Sequence, residues 1–405
     1  MAALDGIRVV DLSRVLAGPL CTQMLADHGA DVIKIEPPAG DETRLFGPPF
    51  DDAGDAAYFG AVNRGKRSLS LDLAHPDGAA VLEKLLAHAD VLVENFLPGT
   101  MEKWGLGYET LAQRHPRLVY CAISGFGADG PLGGLPGYDA VAQAICGLMS
   151  VNGSEASGPM RLGIPVVDHV TGYVAMSGIL MALIARERSG SGQRVDTTLF
   201  DTGMSLLVPY VANWLHSGRA PRLLGSAHPN ICPYDKYNTG DGEIFLGVAN
   251  DGQYRKLCEH VGRPDLAADP RFATNAQRLG HRDALKAELE KAFATHPVES
   301  LCRDLMRKGV PAGPVHTVPQ AIEQAHAVHR ESLVEDGAYR GLAAPAKLSR
   351  TRGRAAKRPP RFSEDADQIL AEAGYASDEI AQLRRQGVVH DRPRQTPPTT
   401  KRKSS

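Results

Sequence analysis

The 405 residues include six cysteines, Cys21, Cys121, Cys146, Cys232, Cys258 and Cys302, and no two stand in C-x-x-C spacing. That spacing excludes a locally encoded zinc site or redox pair, and single scattered thiols fit a reducing compartment. Net charge is also lacking. Lys and Arg total 45 and Asp and Glu 47, a formal charge of −2, so no global field draws the chain to nucleic acid. The 14 histidines show no metal-ligand spacing, and no metal site is expected. No uninterrupted run of 18 apolar residues occurs, so no membrane span is expected. The first residues, "MAALDGIRVVDLSRV", lack a basic stretch ahead of an apolar one and are not an Arg-rich amphipathic segment. The chain is therefore expected in the cytoplasm. No G-x-S-x-G elbow is present, since Ile123 precedes Ser124, which removes an α/β-hydrolase triad.

What is present is ordinary for a globular protein, with 43% apolar and 23% charged residues. A chain this long buries a large core and divides into two or more domains. "IRVVDL" (7–12), "DVIKIE" (31–36), "VLVENF" (91–96) and "RLVYCAIS" (117–124) read as short buried strands rich in Val and Ile. Between them, "AGPLCTQMLADHGA" (17–30) and "HPDGAAVLEKLLAHAD" (75–90) read as helices. This alternation predicts an α/β fold with a parallel sheet covered on both faces. Beyond residue 200 the character changes. A helix carrying Pro209 leads into a Pro- and Gly-rich linker over 201–224, and a smaller second α/β domain is expected over 225–329. The end, from 391 on, is basic and Pro-rich without an apolar stripe, and is expected to be a disordered tail.

Several stretches carry chemistry. "GFGADG" (125–130) satisfies G-x-G-x-x-G after a strand, but "PLGGLPG" follows and cannot open a helix, so a dinucleotide site is not supported. A glycine turn that lets a ligand or helix approach the backbone fits better. "NRGKRSLSLDL" (63–73) brings Arg64, Lys66 and Arg67 to a turn, either as phosphate holders or as a solvated loop. "ENFLPGTMEK" (94–103) is a strand end, where parallel sheets bind ligands. The most pointed feature is Asp168, a lone carboxylate in "GIPVVDHVTGYVAMSGILMAL". It reads either as the N-cap of the following helix or as a reactive carboxylate kept ionised by the helix amides. Gly163, Thr171, Gly172 and Ala175 around it would leave room for a substrate.

Taken together, "LDGIRVVDLSRVLAGP", "LADHGADVIKIEPPAGDETR", "NRGKRSLSLDL", "ADVLVENFLPG", "YCAISGFGADGP", "GYDAVAQA" and "VVDHVTGYVAMSGILMALIARERSGSGQRVD" resemble family III CoA-transferases. The match is dense over the first 200 residues and thinner through "GVPAGPV" to "GVV" near 389. This chain has Pro37 where some members carry Arg, and "RFSEDADQ" replaces the usual Leu-Gly-x-His. The resemblance implies a Rossmann-like large domain made from both chain ends, with 330–390 returning to it, and an interlocked homodimer.

The same resemblance implies coenzyme A thioesters as substrates, no permanently bound cofactor and Asp168 as the covalent nucleophile. It assigns CoA binding to Val15, Leu16, Ala17, Leu71, Asn95, Phe96, Lys103, Tyr138 and Asp139. The implied reaction runs from acyl-CoA through a mixed anhydride to an aspartyl-CoA thioester, and then in reverse onto a free acid. The sister α-methylacyl-CoA racemases carry His where this chain has Tyr138, and tyrosine as a residue type is a poor base near neutral pH. A non-catalytic acyl-CoA-binding protein is the third reading, against which intact Asp168 speaks. "DETRLFGPPF", "GYDAVAQAICGLM" and "GSAHPNICPY" look most like the succinyl-CoA-dependent dicarboxylate branch. A second substrate carboxylate would want a cation, and Arg44, Arg161 and His228 are the candidates.

Overall fold

A computed structural model describes residues 1–394. The chain divides into two compact units. The larger comprises Met1–Leu148, Leu162–Ala212 and the chain from His326 on; the smaller comprises Met149–Arg161 and Asn213–Ala325.

The larger unit is built on six parallel strands: β1 (Arg8–Asp11), β2 (Asp31–Glu36), β3 (Arg67–Ser70), β4 (Val91–Glu94), β5 (Val119–Ser124) and β6 (Arg194–Thr198). They lie in the order β3-β2-β1-β4-β5-β6. Val9, Val10, Val91, Leu92, Val93 and Val119 are fully buried, as expected for strands covered on both faces. Its helices include α1 (Ala17–Asp27), α2 (Ala57–Asn63), α3 (Pro76–Leu86), α4 (Asp139–Ile145), α5 (Val166–Ser189) and α6 (Leu199–Ser205).

The 24 residues of α5 are apolar and long enough, by length and composition, to cross a bilayer. Charged residues confined to its ends hide that property from a count of uninterrupted apolar runs. One face, with Thr171, Gly172, Ala175, Ile179 and Ala182, is buried, whereas Tyr173, Val174, Met181 and Ile184 are exposed. Gly163 stands beside open space, but Gly172 and Ala175 do not open the room for a substrate that the sequence suggested. They let two helices touch: a Cβ at Gly172 would stand 2.8 Å from the Ala17 carbonyl oxygen of α1.

The smaller unit holds an antiparallel sheet of β7 (Tyr234–Asn238), β8 (Glu243–Gly247) and β9 (Ala312–Pro314). Around it pack α7 (Asp251–His260), α8 (Asn275–Gly280), α9 (Arg282–Phe293) and α10 (Val298–Arg307). Its separate core includes Ile244, Leu246, Leu257, Phe272, Leu289 and Leu305. Arg278 is buried within it over the Tyr254 ring, bonded to the Cys232 and Phe272 carbonyls and to Asp251. Met149–Arg161 belongs to this unit, although the sequence placed all of 1–200 in the larger one. Its short Gly153–Ser154 and Gly158–Pro159 strands pair only with each other, and Gly153 accepts the Gly225 amide.

The return segment completes the larger unit with the hairpin β10 (Leu333–Asp336) and β11 (Tyr339–Leu342), then α11 (Ala366–Glu372) and α12 (Ser377–Arg385). It is stitched to the β3 edge by Ser68 on Asp365, Ser70 on Ser363 and a bridge from Leu71 to Val389. The first residues of the expected tail are anchored: Asp391 pairs with Arg384, and the Arg394 amide donates to the Pro38 carbonyl. The rest of that tail, from 395, lies outside the described residues.

Candidate active site

Between β1 and β4 the sheet changes its direction of succession. At such a switch point the loops leaving neighbouring strands diverge, and α/β sheets bind ligands beyond their carboxyl ends. The loops after β1 and β4 line a cavity of about 260 Å³ here. Val15, Leu16 and Ala17 come from the first loop and α1, Asn95 and Phe96 from the second, and Tyr138 and Asp168 face the same space.

The loop after β1 is held from beneath by buried charge. Asp11 accepts from the Ser13 amide and hydroxyl, from Thr22 Oγ1 and from Lys66 Nζ at 2.9 Å. Lys66 also donates to Pro19 and Asn63, and Lys34 donates to the Ser13 carbonyl and to Asp41. Burial alone would raise the Asp11 carboxyl, but Lys66, Lys34 and the hydroxyl donors hold it below the usual range. With both ends pinned, Val15 occupies a left-handed conformation at φ 69°. A β-branched residue adopts that only when its surroundings impose it.

The loop after β4 is tied to the first one. Asn95 accepts from the Arg14 amide at 2.8 Å and donates to the Arg14 carbonyl at 2.7 Å. Arg14 reaches over the Phe96 ring and pairs with Glu42. Glu94 closes the turn from behind by accepting the Phe96 amide at 2.8 Å and the Tyr120 hydroxyl. Burial pushes the Glu94 carboxyl up to about 7. The glycine loop after β5 folds back on itself: a Cβ at Gly125 would stand 2.9 Å from the Gly137 Cα. Gly125, Pro136 and Gly137 thereby bring bare backbone to the cavity wall.

Asp168 is not a helix cap. Helix α5 begins at Val166, which makes Asp168 its third residue. The amides of Val167 and Asp168 are taken by Asp139 Oδ1, at 2.8 and 3.2 Å. The helix terminus therefore does not hold Asp168 ionised. Burial and then the Asp139 carboxylate push its carboxyl from 3.8 up to about 7. The same two carboxylates add to burial in driving the Tyr58 hydroxyl up to about 12.

The remaining sequence candidates lie elsewhere. Asp139 stands behind Asp168 rather than in the cavity wall, bonded to Gln143. Leu71 is buried in the core, where its amide donates to the Glu36 carbonyl. Lys103 is an exposed residue on the short helix Thr100–Lys103. Arg44 is buried, paired with Glu36 and Asp55 at 2.7 Å each and stacked 3.7 Å over the Phe59 ring. Its guanidinium donors are committed, so it is no site for a substrate carboxylate. Arg161 and His228 belong to the smaller unit. There the His228 carbonyl accepts from Arg282, and its ring lies against Tyr234. The basic turn is neither solvated nor aimed at a phosphate: Arg64 pairs with Asp27, Lys66 with Asp11, and Arg67 with Asp31 and Glu372. Sequence reading passed over Arg14, Glu42 and Glu94. The signal for them was position alone, at or just past the carboxyl ends of parallel strands.

Comparisons with known proteins bear on this geometry. A family model described as CoA-transferase family III matches residues 4–366. A succinate–glutarate CoA-transferase from Agrobacterium fabrum is 43% identical, covering 91% of this chain and 95% of its own. A succinyl-CoA:mesaconate CoA-transferase from Haloarcula hispanica is 40% identical, with 93% and 98% covered. Among solved structures, a CAIB/BAIF family protein from Brucella suis is 41% identical and superposes with a TM-score of 0.84 over 92% of this chain and 99% of that one.

Proposed function

The chain belongs to CoA-transferase family III, and on that premise we propose that it moves coenzyme A from succinyl-CoA to a C5-type dicarboxylic acid, with Asp168 as the covalent carrier. The relatives named for glutarate and mesaconate support the choice of acids. The observation that carries the nucleophile assignment is that Asp168 faces the switch-point cavity beside the Val15–Ala17 and Asn95–Phe96 loops.

The steps balance without a net proton. Asp168 Oδ bonds to the thioester carbonyl carbon; the C–S bond breaks and the CoA thiolate leaves with the electron pair. The thiolate then bonds to the aspartyl carbonyl carbon of the mixed anhydride, and the C–O bond to succinate breaks. The acceptor carboxylate takes CoA from the aspartyl thioester by the same two steps in reverse. A carboxylate whose conjugate acid lies near 7 is a stronger nucleophile than an exposed one, yet remains substantially ionised at neutral pH. Amides of the Gly125 and Gly137 loop would stabilise the oxyanion formed at each attack.

The enzyme is further proposed to work in the cytoplasm as an interlocked homodimer. The exposed apolar residues Tyr173, Val174, Met181 and Ile184 of α5 support a partner there.

Intact-protein mass measurement after mixing with succinyl-CoA tests the mechanism. A CoA adduct is expected that hydroxylamine removes and that Asp168→Ala abolishes. Turnover by Asp168→Ala at the wild-type rate refutes the assignment, and α-deuterium exchange without an adduct would identify a racemase instead.

A further inference from the structure

Two acidic residues meet at the start of α5, and the one that takes the helix amides is not the one that faces the cavity. Asp139 Oδ1 receives the Val167 and Asp168 amides, and its Oδ2 receives Gln143 Nε2 at 2.6 Å. Gln143 Oε1 in turn accepts the Leu162 amide at 2.8 Å. Residues 139 and 143 are one helical turn apart, so both side chains leave the same face of α4. Gln143 is fully buried and Asp139 nearly so. The arrangement is closed: Asp139 cannot swing away without breaking three hydrogen bonds inside the protein.

A helix N-terminus normally favours a carboxylate in its first turn, because free amides and the aligned peptide dipoles stabilise negative charge. Here that stabilisation is spent on Asp139. Asp168 therefore sits beside a fixed negative charge, with the nearest amides already occupied. Acylation replaces its carboxylate by a neutral thioester and so removes the unfavourable ion.

Building on the aspartyl-thioester reading above, we propose that Asp139, held by Gln143, is a positioning residue that favours the CoA-loaded enzyme over the free Asp168 carboxylate. Neither residue lines the cavity. The pair acts by withholding the helix terminus from Asp168 and by setting a charge next to it. The same charge steers the anhydride. When the thiolate attacks the aspartyl carbonyl, the substrate carboxylate leaves with the electron pair of the broken C–O bond. When it attacks the substrate carbonyl, Asp168 must leave as an anion beside Asp139. The first departure produces the more stable anion, so the thioester on the enzyme forms in preference to return of the donor. The raised carboxyl of Asp168 agrees with this.

The ratio of CoA-loaded to free enzyme, read by intact mass at several fixed succinyl-CoA:succinate ratios, is an equilibrium quantity that a merely structural residue would not move. Asp139→Asn keeps an oxygen for the two amides and removes the charge. It is expected to lower the loaded-to-free ratio by up to about tenfold relative to wild type at equal substrate ratio and at a pH where Asp168 is ionised, the change that follows if about one pKa unit is returned to Asp168. Asp139→Asn/Gln143→Glu reverses donor and acceptor in the pair and moves the charge one turn along α4. It should give an intermediate ratio and carries the test if the single variant does not fold. A wild-type ratio in these variants, with the adduct still formed, overturns the role of Asp139. Absence of any adduct in the wild-type enzyme overturns the aspartyl-thioester reading itself, so the two failures are distinguishable.

Discussion

Replacing Asp168 by Asn should make the folded protein more stable as the pH rises. The carboxyl is raised from 3.8 to about 7 by burial and by Asp139, and a tenfold change in acidity corresponds to about 1.4 kcal/mol. The ionised form therefore costs the native state on the order of 4 kcal/mol, trimmed where the cavity side of the group meets water. Below the unfolded value both states hold the proton and the cost is absent. Between about 4 and 7 the unfolded chain releases its proton first, so native stability falls as the pH rises, and above 7 the full cost is present. Asn has the same shape and no charge at any pH. Its advantage over wild type should grow by about 2 kcal/mol between about pH 5 and about pH 8.5, after subtraction of any constant isosteric effect. Urea unfolding midpoints at one protein concentration, measured at both pH values for both proteins, supply the comparison. A gap that is equal at the two pH values, or larger in acid, would refute the claim that a strained ion sits at the head of α5.

Two further outcomes follow from neighbouring groups. Lys66→Met strands Asp11 as an unpaired buried charge, so it should cost about 3–5 kcal/mol, and Asp11→Asn added to it should recover part of that loss in thermal melts. Glu94→Gln keeps the acceptor for the Phe96 amide while removing a carboxyl pushed up to about 7. The sign matches that of Asp168: wild-type stability due to this group falls as the pH rises from about 4.5 to about 7 and the full cost persists above, and the variant should lack that loss. Failure of the melting difference to widen between about pH 4.5 and about pH 8 would count against it.

The larger sheet was legible because its strands are short apolar runs separated by helical periodicity, a pattern that admits few folds other than a parallel α/β layer. The loops at Val15–Ala17 and Asn95–Phe96 were legible for the same reason, since strand ends are visible in sequence and the switch point lies above them. Arg44 and Lys66 were not legible. A cation in a turn motif reads alike whether it faces solvent or a buried carboxylate, and only packing placed Glu36, Asp55 and Asp11 against them. The small residues of α5 misled in a similar way. Gly172 and Ala175 are compatible with an open pocket and with close helix contact, and the approach of α1 chose the second.

By itself the sequence determined the alternation of strands and helices, the family, and a lone carboxylate at the head of a long apolar helix, because these are written in local spacing and in residue identity. Tertiary structure alone decided what that carboxylate experiences. The group that claims the α5 amides is Asp139, 28 residues before Val167. Hydrogen bonds between residues that distant depend on how helices pack, which no local pattern encodes.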